Sequence, residues 1–162
     1  PKSETFDIVS YNLEFFGSDV VGTSGEFGPI DDALQVDNVA KVMNKLNADV
    51  YVVQEVSDEP ALESLIQKIS VNGKTFDKSI SPVWSYSFTP PDPLFPPQKL
   101  VVLYNTQTTK VNKTRVLFND LYNNIRAGNT SLPNYPGGNS SSFFASGRLP
   151  YLVNIETNIN CF

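Results

Sequence analysis

The chain has 162 residues, 40% of them hydrophobic, which is enough for one ordinary core and sets the expectation of one domain or one piece of a domain. It holds no histidine and one cysteine, Cys161, which excludes an internal disulfide framework, a cysteine cage for a metal, and any histidine base drawn from these residues. A net charge of −5 speaks against broad affinity for nucleic acid, but residues 1–98 carry 6 Lys/Arg against 15 Asp/Glu while residues 99–162 carry 6 against 2. That asymmetry suits a metal-plus-phosphate site, although two differently solvated surfaces account for it more simply.

In chain order, Phe6 to Leu13 is nearly continuous in apolar and β-favouring residues, a pattern that predicts a central strand covered on both faces. Gly17 to Pro29 lacks apolar periodicity and reads as loop. Val36, Val39, Val42, Met43 and Leu46 recur at helical spacing, with Asp31 and Asp32 available as caps. Val50 to Val53 predicts a short buried strand that turns polar at Gln54 and Glu55. A second helix follows, with Asp58 as N-cap, Pro60 in its first turn and Leu62, Leu65, Ile66 and Ile69 on its buried face.

Val83 to Phe88 is expected to be a strand, closed by Thr89 to Pro97, where five prolines in nine residues forbid regular hydrogen bonding. Leu100 to Tyr104 predicts a buried strand, and Lys110 to Leu117 alternates well enough to pair with it. Residues 119–147, rich in Asn, Ser and Gly, read as one long loop, and Leu149 to about Thr157 as the last strand. This order predicts a mixed sheet in a layered α/β architecture. No apolar run is long enough to cross a bilayer, and the polar start at Pro1 to Glu4 carries no signal-peptide pattern. The compartment stays open, with a secreted or periplasmic one favoured, as does the oligomeric state.

Three polar groups stand where buried strands begin or end. Asn12 and Glu14 are two apart, so both can face one side of a strand. Glu55, with Gln54, follows an apolar strand, and a carboxylate there beside another strand's Asn and Glu makes a hard-oxygen site suited to Mg²⁺ or Mn²⁺. Arg148 follows Gly147 in Ser146 to Pro150, and arginine is the side chain best shaped to grip a pair of phosphate oxygens. Each has a plainer reading: Asn12 as a turn cap, Glu55 as a solvated strand end, Arg148 as a surface cation.

Four segments appear in an order that resembles the endonuclease/exonuclease/phosphatase family, and within it deoxyribonuclease I and its bacterial relatives. They are Asp7-Ile-Val-Ser-Tyr-Asn-Leu-Glu14, Ala48-Asp-Val-Tyr-Val-Val-Gln-Glu-Val56, Gln98-Lys-Leu-Val-Val-Leu-Tyr104 and Gly147-Arg-Leu-Pro-Tyr-Leu-Val153. The resemblance spans nearly the whole chain and implies that residues 1–162 are the N-terminal half of one such domain, a layered α/β sandwich of the deoxyribonuclease I-like type, incomplete here. It implies a metal-dependent phosphodiester hydrolase, most simply a nuclease, with Glu55 as a ligand of Mg²⁺ or Mn²⁺. Asn12 would sit beside the metal and the scissile phosphate. Glu14 falls where some members carry a second acidic ligand, and Arg148 matches an arginine that contacts the phosphate backbone of a nucleic-acid substrate. Gln98 and Lys99 would open the strand that supports the site.

The departures from the family are large. A substrate-side tyrosine has no counterpart in residues 90–97, which offer prolines and Phe95. The family's histidine strand, its Gly-Asp-x-Asn segment and its terminal Ser-Asp-His are absent from the 162 residues. The chain alone is therefore expected to be inactive. The alternative is a truncated or degenerate copy that serves as a non-catalytic binding or structural module.

Overall fold

A computed structural model of the chain describes residues 5–85, 92–135 and 147–158. Its centre is a four-stranded sheet of β1 (Ile8–Phe16), β4 (Val50–Val56), β6 (Lys99–Asn105) and β5 (Phe76–Ile80), in the order β1-β4-β6-β5. β1 and β4 run parallel and are joined through helix α1 (Asp32–Leu46), as a parallel pair requires; the other pairs are antiparallel, so the sheet is mixed, as expected. β2 (Val21–Gly22) and β3 (Gly25–Glu26) form a small hairpin inside the segment read as loop.

Both helices begin where their caps predict. The Asp31 side chain accepts from the Leu34 N–H, and the Asp58 side chain accepts from the Ala61 N–H at the start of α2 (Glu59–Ile69). Asn47 ends α1 in the left-handed conformation that asparagine tolerates. The two helices cover one face of the sheet. There Val36, Val39, Met43, Leu62, Leu65 and Ile69 pack on Leu13, Tyr51, Val53, Val101 and Leu103. Successive strand residues point to opposite faces, so Ile8, Ser10 and Asn12 lie on the other side.

Four expectations are corrected. β1 is an edge strand among the described residues, and Ile8 is 57% exposed: its apolar run covers the helix layer with Val9, Tyr11 and Leu13 only. The strand beside β6 is Phe76–Ile80, with only two apolar residues in five; Val83 to Ser85 is not a strand, and residues 86–88 lie outside those described. β7 (Thr109–Val116) pairs with β8 (Tyr151–Thr157) in a separate two-stranded sheet instead of with β6, because alternation marks a strand without naming its partner. Residues 119–126 form helix α3 (Asn119–Arg126), which buries Tyr122 and Ile125 despite its asparagines. The β7–β8 pair meets the sheet at β5, where the Tyr151 and Ser79 hydroxyls are 2.8 Å apart. No helix among the described residues is long and apolar enough to cross a membrane.

Candidate functional site

The carboxyl ends of β1 and β4 do not finish as regular strands. Pairing between them slips from Asn12 opposite Gln54 to Phe16 opposite Val56, so β1 accommodates extra residues. Pairing of β4 with β6 slips in turn, from Val53 opposite Val101 to Val56 opposite Lys99. The backbone absorbs these bulges at Glu14, Phe15 and Glu55, whose φ angles are +55°, +52° and +62°. None is glycine, and a left-handed conformation costs such residues about 1–2 kcal/mol each.

The distortion is held by specific bonds. The Asn12 Oδ1 accepts from the Glu14 N–H at 2.9 Å, a turn of the kind short amides form. The Phe15 N–H points to the Glu55 Oε2 at 3.4 Å, joining the two bulges. Gln35, buried on α1, donates its amide to the carbonyls of Leu13 and Glu14 at 2.9 and 3.1 Å and accepts from the Gly17 N–H at 3.0 Å. The Phe16 carbonyl accepts from the N–H groups of Ser57 and Asp58. The Phe15, Phe27 and Phe95 rings pack against one another in tilted and edge-to-face contacts with centroids 5.0–5.5 Å apart, tying the β2–β3 segment and the proline-rich stretch to the bulge.

Beside the bulges lies a cleft of ≈ 160 Å³. Asn12, Gln54 and Glu55 line it from β1 and β4, Gln98 to Leu100 from the start of β6, and Gly147 to Leu149 from the approach to β8. Three of the four sequence-selected positions, Asn12, Glu55 and Arg148, are thus brought to one cavity. Glu14 is not among its lining residues; it borders a neighbouring cleft with Asn12, Pro29, Ile30 and Asp31. Ser146 lies outside the described residues. Arg148 is exposed at the cleft, after Gly147 with φ +94°. The segment that carries it is pinned by the Leu117 N–H to the Pro150 carbonyl at 2.9 Å.

Several lining residues were not read from the sequence. Ser81, Val83, Trp84 and Ser85 complete the wall, and the Lys99 ammonium sits 4.4 Å from the centroid of the Trp84 ring while pairing with Glu59 at 3.0 Å. The lone tryptophan was the one available signal for this wall. Gln35 also left a trace, as a polar residue on the buried stripe of α1 beside Val36 and Val39.

The donors around Glu55 are oxygens and amides. Glu55 is the one carboxylate among the described residues that line the cleft, beside the neutral amide and hydroxyl side chains of Asn12, Gln54, Ser81, Ser85 and Gln98. No group of three or more His, Cys, Asp or Glu placed to hold a metal occurs among the described residues. That donor set fits Mg²⁺ or Mn²⁺, which take one or two carboxylates and keep several waters, and does not fit Zn²⁺. The charged residues that line the cleft are Glu55, Lys99 and Arg148. Neither family models nor curated proteins give a match to this chain.

Proposed function

We propose that this chain forms half of a metal-dependent phosphodiester hydrolase domain of the deoxyribonuclease I-like type, within the endonuclease/exonuclease/phosphatase family, acting on nucleic acid. The observation that supports this reading most is Glu55, thrust from a left-handed bulge at the end of β4 into a cleft shared with Asn12 and Arg148. The four sequence segments that resemble the family contribute Asn12, Glu55, Gln98, Lys99 and Arg148 to that one cleft.

In this reading Glu55 holds Mg²⁺ or Mn²⁺, and Glu14 stands on the adjacent side of Asn12 as a lesser candidate. The ion supplies charge neutralisation at the phosphate oxygens. Asn12 has its Oδ1 fixed by the Glu14 N–H and so presents its Nδ2 as the donor. Arg148, exposed at the cleft, meets a phosphate of the substrate backbone. The general base is not supplied here, since the 162 residues contain no histidine. A positioned base contributes about 10²–10⁴-fold, so the chain alone should not hydrolyse DNA, RNA or small diesters above background.

The same absence of histidine favours a second reading, a non-catalytic binding module that keeps the core and the cation site without the chemistry. Mn²⁺ titration followed by NMR line broadening tests the shared premise. Signals of Asn12 and Glu55 should broaden in the wild type and stay sharp in Glu55→Gln, which removes charge and keeps shape. Equal broadening in both proteins removes the metal assignment. Metal-dependent, chelator-sensitive cleavage by the purified chain would refute the expected inactivity.

A further inference from the structure

Gln98 is an oddity in the cleft wall. It is 7% exposed, and its Nε2 has no hydrogen-bond acceptor among the described residues. Buried amides are almost always paired, and a donor left without an acceptor loses its bonds to water with nothing in return. Its backbone is firmly placed at the entry to β6, where the Gln98 carbonyl accepts from the Ser85 N–H at 3.1 Å. The side chain belongs to the same cleft as Glu55, Asn12 and Arg148. Its neighbour Lys99 is committed to Glu59 and to the Trp84 ring, so that ammonium contributes positive potential while its bonding is already directed elsewhere.

We infer that Gln98 is a ligand-binding residue, whose amide donates to an oxygen of a tetrahedral oxyanion, of the phosphate class, received by this cleft. The inference rests on the phosphoester reading of the site and adds a residue to it. A neutral donor suits this place. It satisfies an anionic oxygen without bringing a third cation beside Lys99 and Arg148, and without neutralising the carboxylate that holds the cation. A carboxylate in the same position would repel the anion.

The test uses the full 162-residue chain, ¹⁵N-labelled, titrated with inorganic phosphate in the presence of Mg²⁺. Two signals are followed: the Gln98 side-chain amide pair and the emission of Trp84, the sole tryptophan. The Gln98 amide protons should move downfield with the same midpoint as the Trp84 change. Gln98→Glu should weaken phosphate binding by about tenfold or more, and the uncharged Gln98→Met by a smaller factor. Mn²⁺ broadening at Asn12 and Glu55 should persist in both variants. The inference is overturned by unchanged phosphate affinity in both variants, by a Gln98 amide that stays put at saturation, or by no phosphate binding to the wild type. A Gln98 shift without any Mn²⁺ broadening keeps the donor role and removes the metal reading, so the two fail separately.

Discussion

Gln35→Met keeps the length and helix propensity of the residue on the buried face of α1 while deleting all three of its hydrogen bonds. The Leu13 carbonyl, the Glu14 carbonyl and the Gly17 N–H lose their partner together. An unsatisfied buried polar group costs about 1–3 kcal/mol. The bond to Leu13 is fully buried and the other two are partly so, which leaves them some recourse to water. The sum is about 2–5 kcal/mol, after about 1 kcal/mol returned by the more apolar side chain. Against a whole-domain stability of about 5–15 kcal/mol this is a large fraction. With a urea dependence of about 2 kcal/mol/M, the unfolding midpoint should fall by about 1–2.5 M. The same clamp fixes the bulge from which the Phe15 N–H reaches Glu55, so Mn²⁺ affinity should drop in the native baseline as well. A midpoint shift below about 0.3 M would refute the reasoning, because it would mean that the bulge is held without Gln35.

Gly17→Ala should destabilise by about 2–4 kcal/mol, since φ is +71° and the new Cβ would lie 2.6 Å from the Ala61 Cβ and 2.8 Å from the Asp58 Cβ. Gly73→Ala, at φ +79° with open space around it, should cost only about 1 kcal/mol; equal losses in urea melts would sink the packing argument. Asp32 has its carboxyl pushed above the ordinary 3.8, by desolvation first and then by Glu26, Asp58, Asp19 and Asp31. The folded chain therefore holds that proton more tightly than the unfolded chain, and the ionised form destabilises above the folded value and not below 3.8. Asp32→Asn should raise the melting temperature at pH 7 and lose that advantage on acidification below 3.8, so the same gain at both pH values would contradict it. In a domain completed by a histidine-bearing half, Arg148→Ala should weaken polymer binding and flatten its salt slope by about one, with small diesters cleaved almost as before. Equal losses on both substrates would place Arg148 at the reacting phosphate, against a nuclease.

The parts of the fold that were legible are those in which side-chain pattern and backbone chemistry agree. Asp31 and Asp58 cap helices whose apolar stripes repeat at the right spacing, and β4 and β6 are apolar runs of strand length. β5 was missed because Phe76-Asp-Lys-Ser-Ile80 needs only Phe76 and Ile80 to face the helix layer, which leaves no run to notice. α3 was missed because asparagine favours turns, and packing of Tyr122 and Ile125 overrides that preference. The partner of β7 follows from where the chain returns at Tyr151, which no local pattern contains.

At the site, the sequence singled out three side chains that come to line one cleft, Asn12, Glu55 and Arg148, and missed the bulges that present them. Six non-glycine residues have positive φ among the described residues; Phe118 stands apart at the N-cap of α3, and Asn47 and Asn72 are ordinary bearers of that conformation. Glu14, Phe15 and Glu55 are not, yet they gather at the ends of two adjacent strands. A solvated strand end has no need of this, since Gly, Asn or Asp at the same positions would relieve the strain. The strain persists because Gln35, the Asn12 side chain and the cluster of three edge-packed phenylalanines hold it. Backbone strained in this way re-aims a side chain that regular pairing would leave standing perpendicular to the sheet. Here the re-aimed side chain is a carboxylate, and it lines a cleft together with Lys99 and Arg148. The bulge therefore argues for the cation-and-anion reading of Glu55 over the solvated strand end, independently of the motif in which Glu55 stands.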